Sequence, residues 1–398
     1  MKIGVLSYRF DYYTYLRNIL FKLPEAEYVP VNDLYSNLRR AAHSANRRLG
    51  RNLFPTFDLN NQFDDFEFNK VDILHFSNGV SYGRTPWVSH YETLLPRFSS
   101  LLQSYQQTSK TGLNMTPLIT RGFDALLSPS CKRIIAWSQS AADIQHELLS
   151  QLPFEERALI LEKMTILHPP QKVLTEQITE RAYDIPNPIR FIFVGAGFFR
   201  KGGREILNAF EKLIKTEKAP IKFVIVSSLH LDAYATKETP ADIEWAKQFI
   251  SENQDWIEYH ESLPNEQVME LMKTCDVGLL PTYADSYGLS VLEAQACGLP
   301  VISTDVRALP EINNTEIGWL IRVPKTDLKE ALYSTPEERE RLSQHIQAGL
   351  EVIISSIVAD PTVIYVKGMK ALKRIREMHD PDTYAQRLRE IYHEALDK

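Results

Sequence analysis

Short apolar runs alternate with stretches of helical period along most of the chain. In the first half, Ile3–Ser7, Tyr28–Val31, Val71–Phe76, Trp87–Ser89, Arg133–Trp137 and Met164–Leu167 predict strands. In the second half the strands are Arg190–Val194, Lys222–Val226, Ile257–Tyr259, Val277–Leu280, Val301–Ser303 and Gly318–Ile321. Helical spacing fills the intervals at Tyr13–Leu23, Ser140–Leu149, Arg204–Lys215, Ala241–Asn253, Asn265–Thr274 and Ser290–Cys297. Alternation of this kind predicts an α/β chain of parallel sheets covered by helices on both faces. Asp382–Lys398 places Tyr384, Leu388, Ile391 and Tyr392 on one face of a further helix. Asn60–Phe68, polar and aromatic, reads as a surface loop.

Two proline clusters, His168–Pro170 and Ile185–Pro188, interrupt the alternation and mark a linker. The predicted division is one domain over 1–168 and a second over 169–382. At 398 residues, two domains of ordinary size each have enough chain to bury a core.

The 44% apolar and 24% charged composition is that of a globular protein in water. A net charge of −6 argues against bulk nucleic-acid binding, so no nucleic-acid partner is expected. Cys131, Cys275 and Cys297 are too few and too scattered for a disulfide framework or zinc spacing, which points to a reducing compartment. Cys275 and Cys297, in apolar surroundings, read as small core residues. The opening MKIGVLSY enters a strand without a leader pattern, and no apolar run nears the roughly 20 residues of a membrane span. The expected location is cytoplasmic.

Leu34–Leu53 differs from the other helical segments. Arg39, Arg40, Arg47, Arg48 and Arg51 fall on one half of the wheel; Leu34, Leu38, Ala41, Ala45 and Leu49 fall on the other. One reading is a surface helix whose apolar side packs on the first domain. The other is a basic face, 39–51, for anionic lipid headgroups on the inner membrane face or for an acidic acceptor.

Chemistry concentrates in two turns. Val194–Gly203 holds Gly195, Gly197 and an Arg200-Lys201 pair between a strand and a helix. Glycines let backbone approach a phosphate, and the cations and helix start would balance its charge. Arg200 breaks the dinucleotide fingerprint and the P-loop pattern is missing, so a solvated Arg-Lys pair stays open as the plainer reading. Asp285-Ser-Tyr-Gly-Leu-Ser-Val-Leu-Glu293 sets two carboxylates eight residues apart around Gly288 and Leu289, at a predicted helix start. Each carboxylate has a structural alternative: Asp285 as a turn former, Glu293 as the partner of Ser290 in a capping box.

Pro281–Val301, PTYADSYGLSVLEAQACGLPV, resembles the E-x7-E signature of the retaining family-4 glycosyltransferases, whose GT-B fold is two facing Rossmann-like domains. Phe191–Phe210 is similar to that family's strand, glycine turn, Lys-Gly and helix, and Leu263–Val277 to the segment before the signature. Asp382–Leu396 resembles the C-terminal crossover helix, so that 383–398 would pack back on the first domain. Trp87–Glu92 is similar to the strand ending in a histidine near the transferred sugar, here His90, which residue by residue also reads as a structurally satisfied histidine.

The resemblance implies transfer of a sugar, with retention, from a nucleotide-diphosphate sugar to a hydroxyl acceptor that is a glycan, a lipid or a small molecule. It implies His90, Arg200, Lys201 and Asp285 at the reacting centre. The donor would lie against Gly195, Gly197, Leu263, Ser286, Tyr287, Gly288, Leu289 and Glu293. No cofactor is called for, the nucleotide sugar being a co-substrate, and no DxD-type cluster asks for a metal.

Three departures stand out: Asp285 replaces the usual Glu, Ala196 replaces a frequent Arg, and Tyr8–Tyr13 replaces a glycine-rich acceptor loop. They carry the alternative of a catalytically weak or inactive sugar-nucleotide or glycan-binding protein of the same fold. A GT-B phosphorylase or sugar-phosphate synthase is a further alternative, and a nicotinamide dehydrogenase lacks its fingerprint.

Overall fold

The computed structural model describes residues 1–6, 19–20, 22–106, 114–175, 188–231 and 234–397. Its contacts divide the chain into two units, Met1–Pro170 with Pro381–Lys398, and Gln171–Asp380.

In the first unit six parallel strands run β2-β1-β4-β6-β7-β8. They are β1 (Lys2–Leu6), β2 (Glu27–Val31), β4 (Ile73–Ser77), β6 (Trp87–Tyr91), β7 (Cys131–Ala136) and β8 (Met164–Ile166). The central β4 and β6 are buried along their whole length, as expected of parallel strands covered on both faces. Helix Pro381–Leu396 turns Tyr384, Leu388, Ile391, Tyr392 and Ala395 into this unit, the stripe its periodicity predicts. An Arg133–Glu394 ion pair at 3.0 Å ties that helix to β7.

The second unit repeats the plan with order β11-β10-β9-β12-β13-β14, all parallel. Its strands are β9 (Ile189–Val194), β10 (Ile221–Val226), β11 (Ile257–His260), β12 (Val277–Leu280), β13 (Val301–Thr304) and β14 (Trp319–Ile321). Because β9 sits between β10 and β12, the turns that follow β9 and β12 emerge side by side. Ligands of open parallel sheets bind at such carboxyl ends.

All twelve expected strands are present, their ends shifted by no more than two residues. Part of the expected helix Tyr13–Leu23, the Tyr8–Tyr13 loop and much of the proline linker lie outside the described residues. Helices Pro117–Leu127, Phe154–Glu162, Pro336–Ala359 and Thr362–Met378 have no counterpart in the sequence reading. Pro336–Ala359 opens on a capping box in which Thr335 Oγ1 accepts from Glu338 N and Glu338 Oε2 accepts from Thr335 N.

Two expectations are corrected. Asn60–Phe68 is not simply a surface loop. Gln62–Phe63 forms a short strand, β3, that pairs with β5 (Val80–Ser81), and Phe63 is fully buried against Phe76 at 5.1 Å. Only its far end, Phe66 and Phe68, faces solvent.

Helix Leu34–Leu49 does not pack its apolar side on the domain. Leu34, Leu38 and Leu49 are 39–54% exposed, and Leu53 and Phe54 beyond it are exposed too. The helix is held at its start instead. Asp33 caps it by accepting from the N–H groups of Tyr35 and Ser36 and also accepts from Asp64 N, while Tyr35 and Ser36 supply the buried contact. It stops at Gly50, in left-handed backbone at φ 61°. Among the described residues no single helix is long and apolar enough to cross a membrane.

Candidate functional site

The glycine turn after β9 is pinned at both sides. Gly195 N donates to Val226 O at the end of β10, and Ser227 Oγ donates to Gly195 O at 2.7 Å. Lys201 N then donates to Gly197 O, which closes a tight turn before helix Gly203–Glu217. Gly202, at φ 85°, is required by contact as well as by backbone: a Cβ there would stand 2.2 Å from Pro281 O. That close approach seats the turn directly on the chain leaving β12.

Contacts between the two turns follow from this seating. Tyr283 N donates to Arg200 O at 2.9 Å, and Arg200 Nη1 donates to Ala284 O at 2.7 Å. Lys201 Nζ pairs with Asp285 Oδ2 at 2.8 Å, with side chains only 14% and 13% exposed. Burial opposes the Asp285 carboxylate. The Lys201 charge and hydrogen bond, the Arg200 charge and the Tyr287 N–H outweigh it and hold the group below the ordinary carboxylate value. Asp285 Oδ1 accepts from Tyr287 N, so this residue is both a turn former and half of an ion pair.

Gly288, at φ 92°, is the N-cap of helix Leu289–Ala296. The capping-box alternative for Glu293 is therefore not realised: Ser290 is the second helical residue, and its Oγ is buried without a hydrogen-bond partner among the described residues. The first N–H groups, at Leu289 and Ser290, have no acceptor within the helix. The Glu293 carboxyl takes no hydrogen bond or ion pair among the described residues. Burial pushes it up to about 7, and the Lys201 charge offsets this only in part. The Lys201 ammonium thus serves two carboxylates, one paired and one held in reserve.

Of the remaining sequence candidates, four fall at the same edge of this sheet and one, His90, lies in the other unit. Leu263, partly exposed, follows β11. Ser286, Tyr287 and Leu289 line the turn after β12, where Tyr287 offers backbone, its ring being buried. His90 belongs to the first unit, at the carboxyl end of β6, opposite Ser77 of β4. Its ring is fully buried, stacked on Trp137 at 5.4 Å.

Sequence reasoning passed over the supports behind these groups. Glu205, 2% exposed, accepts from Tyr283 Oη at 2.8 Å and Ser343 Oγ at 2.7 Å, and burial raises its pKa. It anchors the signature segment to the glycine-turn helix. Arg307 sits in left-handed backbone at φ 49° and forms a buried pair with Glu330 at 3.3 Å. A glutamate on the buried face of a helix and a tyrosine in the signature were readable cues, but their pairing spans 78 residues. Among the described residues the three cysteines form no disulfide; all are buried, and burial pushes Cys131 and Cys297 up to about 12 and Cys275 to about 11.

With the site in place, comparison with known proteins is informative. Residues 176–351 match the family model described as "Glycosyl transferases group 1". The O-antigen chain mannosyltransferase B of Escherichia coli is 28% identical over 121 residues, covering 30% of this chain and 30% of that protein. The D-inositol 3-phosphate glycosyltransferase of Arthrobacter sp. (strain FB24) is 36% identical over 90 residues, covering 21% of each. Anabaena HepE in complex with UDP superposes with a TM-score of 0.57 at 13% identity, over 98% of this chain and 99% of that one. This likeness shows the GT-B fold. The chain spans less than a third of the length of these two curated relatives.

Proposed function

We propose that this chain, which carries a glycosyl transferases group 1 domain at residues 176–351, moves a sugar from a nucleotide-diphosphate donor to a hydroxyl acceptor, with retention and without a metal ion. One observation carries the reading: the Lys201 ammonium stands 2.8 Å from Asp285 and bears on the unpaired Glu293, at the joined carboxyl ends of β9 and β12.

Departure of the nucleoside diphosphate builds negative charge on its β-phosphate. Arg200, Lys201 and the helix start at Gly288–Leu289 supply fixed positive charge and donors for it. A lysine has three N–H donors, so binding Asp285 leaves others for phosphate oxygens. Glu293 accepts from ribose hydroxyls and Asp285 from hydroxyls of the transferred sugar. Gly195 and Gly197 admit the phosphates to the backbone, and Leu263 lies against the base. Attack on the same face as the departing phosphate gives retention without a protein nucleophile.

A panel of nucleoside diphosphates and their sugars, read by thermal shift, tests donor binding, since a ligand held only by the folded state raises Tm. The HepE complex with UDP-glucose makes uridine donors the first choice. The expected result is a shift with one donor class and release of nucleoside diphosphate once an acceptor is added. Binding without release under any acceptor would establish the inactive binding protein instead. Phosphate-dependent release of sugar phosphate would establish a phosphorylase.

The exposed leucines of helix Leu34–Leu49, beside Arg39, Arg40, Arg47 and Arg48, support a lipid surface at the acceptor side. Each arginine near an anionic surface contributes about 1 kcal/mol. Changing these four to Ser is expected to abolish co-sedimentation with anionic vesicles and to leave donor binding intact. Equal sedimentation of both proteins would remove the membrane from the reading.

A further inference from the structure

The turn Asp64–Asn69 of the first unit is built against its own polarity. Its sequence offers three carboxylates and two phenylalanines. The carboxylates are the groups turned inward. Asp65, 4% exposed, accepts from Glu67 N at 3.1 Å and from both the backbone and the side-chain nitrogen of Asn69. Glu67 accepts from Arg84 N and Thr85 Oγ1, and Asp64 pairs with Arg121 at 3.3 Å. Phe66 and Phe68 point outward instead, 61% and 82% exposed.

The backbone is strained by this arrangement. Phe66 and Glu67 are consecutive non-glycine residues in left-handed backbone, at φ 51° and 63°. Strain of this kind persists only where the surroundings over-determine it, and it concentrates at functional surfaces. The hydrogen bonds to Asp65 and Glu67 supply that determination here.

The neighbouring residues say what the rings meet. Leu34 N donates to Asp64 O at 3.0 Å, so the turn abuts the start of helix Leu34–Leu49. The exposed Leu34, Leu38 and Leu49 lead from that start to Leu53 and Phe54 beyond the far end, exposed as well. Asn46 fixes the far end by accepting from Phe54 N and donating to Phe54 O, each at 2.9 Å. Between Asp33 and Asp58 the chain has no acidic residue, and Arg40, Arg47, Arg48 and Arg51 are exposed. Two apolar tips joined by a basic helix complement a surface that is anionic outside and apolar beneath, which is an anionic bilayer.

We propose that Phe66 and Phe68 form a membrane wedge: the two rings enter the acyl boundary of an anionic bilayer and hold helix Leu34–Leu49 in the plane of its headgroups. The wedge rests on the lipid-surface reading above and is independent of the sugar donor. The arginines supply an attraction that salt screens, and the rings supply apolar burial that salt leaves in place.

Full-length protein and phosphatidylglycerol–phosphatidylcholine vesicles, at low and high salt, test the wedge. The double variant Phe66→Ser with Phe68→Ser is expected to bind about 10–100-fold more weakly, the effect of withholding two phenyl rings from the acyl boundary. At high salt the wild type should retain binding that the double variant lacks. Both rings lie outside the core, so Tm should be unchanged. In a Phe68→Trp protein, lipid brominated on its acyl chains should quench the added indole beyond any quenching of the wild-type tryptophans. Wild-type vesicle binding with an unquenched indole, or with equal affinity in the double variant, would overturn the wedge and leave the lipid surface standing. A wild type that binds no vesicle would overturn both. Self-association that the double variant abolishes, without vesicle binding, would assign the rings to a second copy of this chain instead.

Discussion

Replacing Lys201 by alanine is expected to lower sugar transfer about 10²–10³-fold, the usual effect of removing a fixed charge aimed at developing negative charge. The same change strips the buried Asp285 of its counter-ion. Breaking a buried pair from one side costs up to about 3–5 kcal/mol, and 14% and 13% exposure puts this pair toward the buried end. Activity and stability must therefore be separated. Asp285→Asn with Lys201→Ala removes both charges, so much of the stability should return while turnover stays low. Urea midpoints and nucleoside diphosphate release, measured on the single and double variants, check both halves. Transfer at the wild-type rate in stable Lys201→Ala protein would refute the assignment. The pair also has a pH signature. The folded pKa of Asp285 lies below its ordinary 3.8, so its contribution to stability is present above that value and is lost as pH falls through the lower folded value.

Glu293→Gln should move stability and binding in opposite directions. The folded carboxyl titrates at about 7 against an ordinary 4.5, so across that window the folded state holds a proton that the unfolded state has released. Stability contributed by this group consequently falls as pH rises from about 4.5 to about 7 and stays low above it. Glutamine keeps the shape without the charge, and the variant is expected to gain about 1–3 kcal/mol at pH 8. It should bind donor more weakly, because an amide is a poorer acceptor for two ribose hydroxyls than a carboxylate. Wild-type affinity for a nucleotide sugar should rise about tenfold between pH 6 and pH 8, as the free carboxyl loses its proton, and the variant should be flat. A variant that is less stable at pH 8, or that keeps the wild-type pH dependence of binding, would show that Glu293 has another role.

Much of the fold was legible because parallel strands covered on both faces are short, continuous apolar runs, and β9, β10, β12 and β13 are of that kind. The two turns were legible for a different reason: each residue had a local explanation by itself, and the resemblance of the whole segment Pro281–Val301 to one signature singled them out. What was hidden depends on contacts distant in the chain. Nothing near Asp285 in sequence indicates Lys201, 84 residues away, until β9 and β12 are known to be neighbours. Phe63 reads as part of a polar loop because its partner, Phe76, lies on another strand. The exposure of Leu38 and Leu49 was unreadable for the opposite reason, since amphipathic period states which residues share a face but not what covers it. The capping box at Ser290 failed by two residues, because Gly288 is the N-cap and Ser290 already lies inside the helix. The box at Thr335–Glu338, equally readable, did form.

The division of the chain sets an order of assembly. Gln171–Asp380 is continuous in sequence. The unit that begins at Met1 is not, because Tyr384, Leu388 and Tyr392 are core residues delivered by the last helix. Although domains usually mature from the N-terminus as they are synthesised, here the earlier-made half waits for the later one. Until then β7 lacks the helix that packs on it. A chain that stops before residue 381 accordingly holds every strand of both sheets but lacks the helix that completes the core of the first unit.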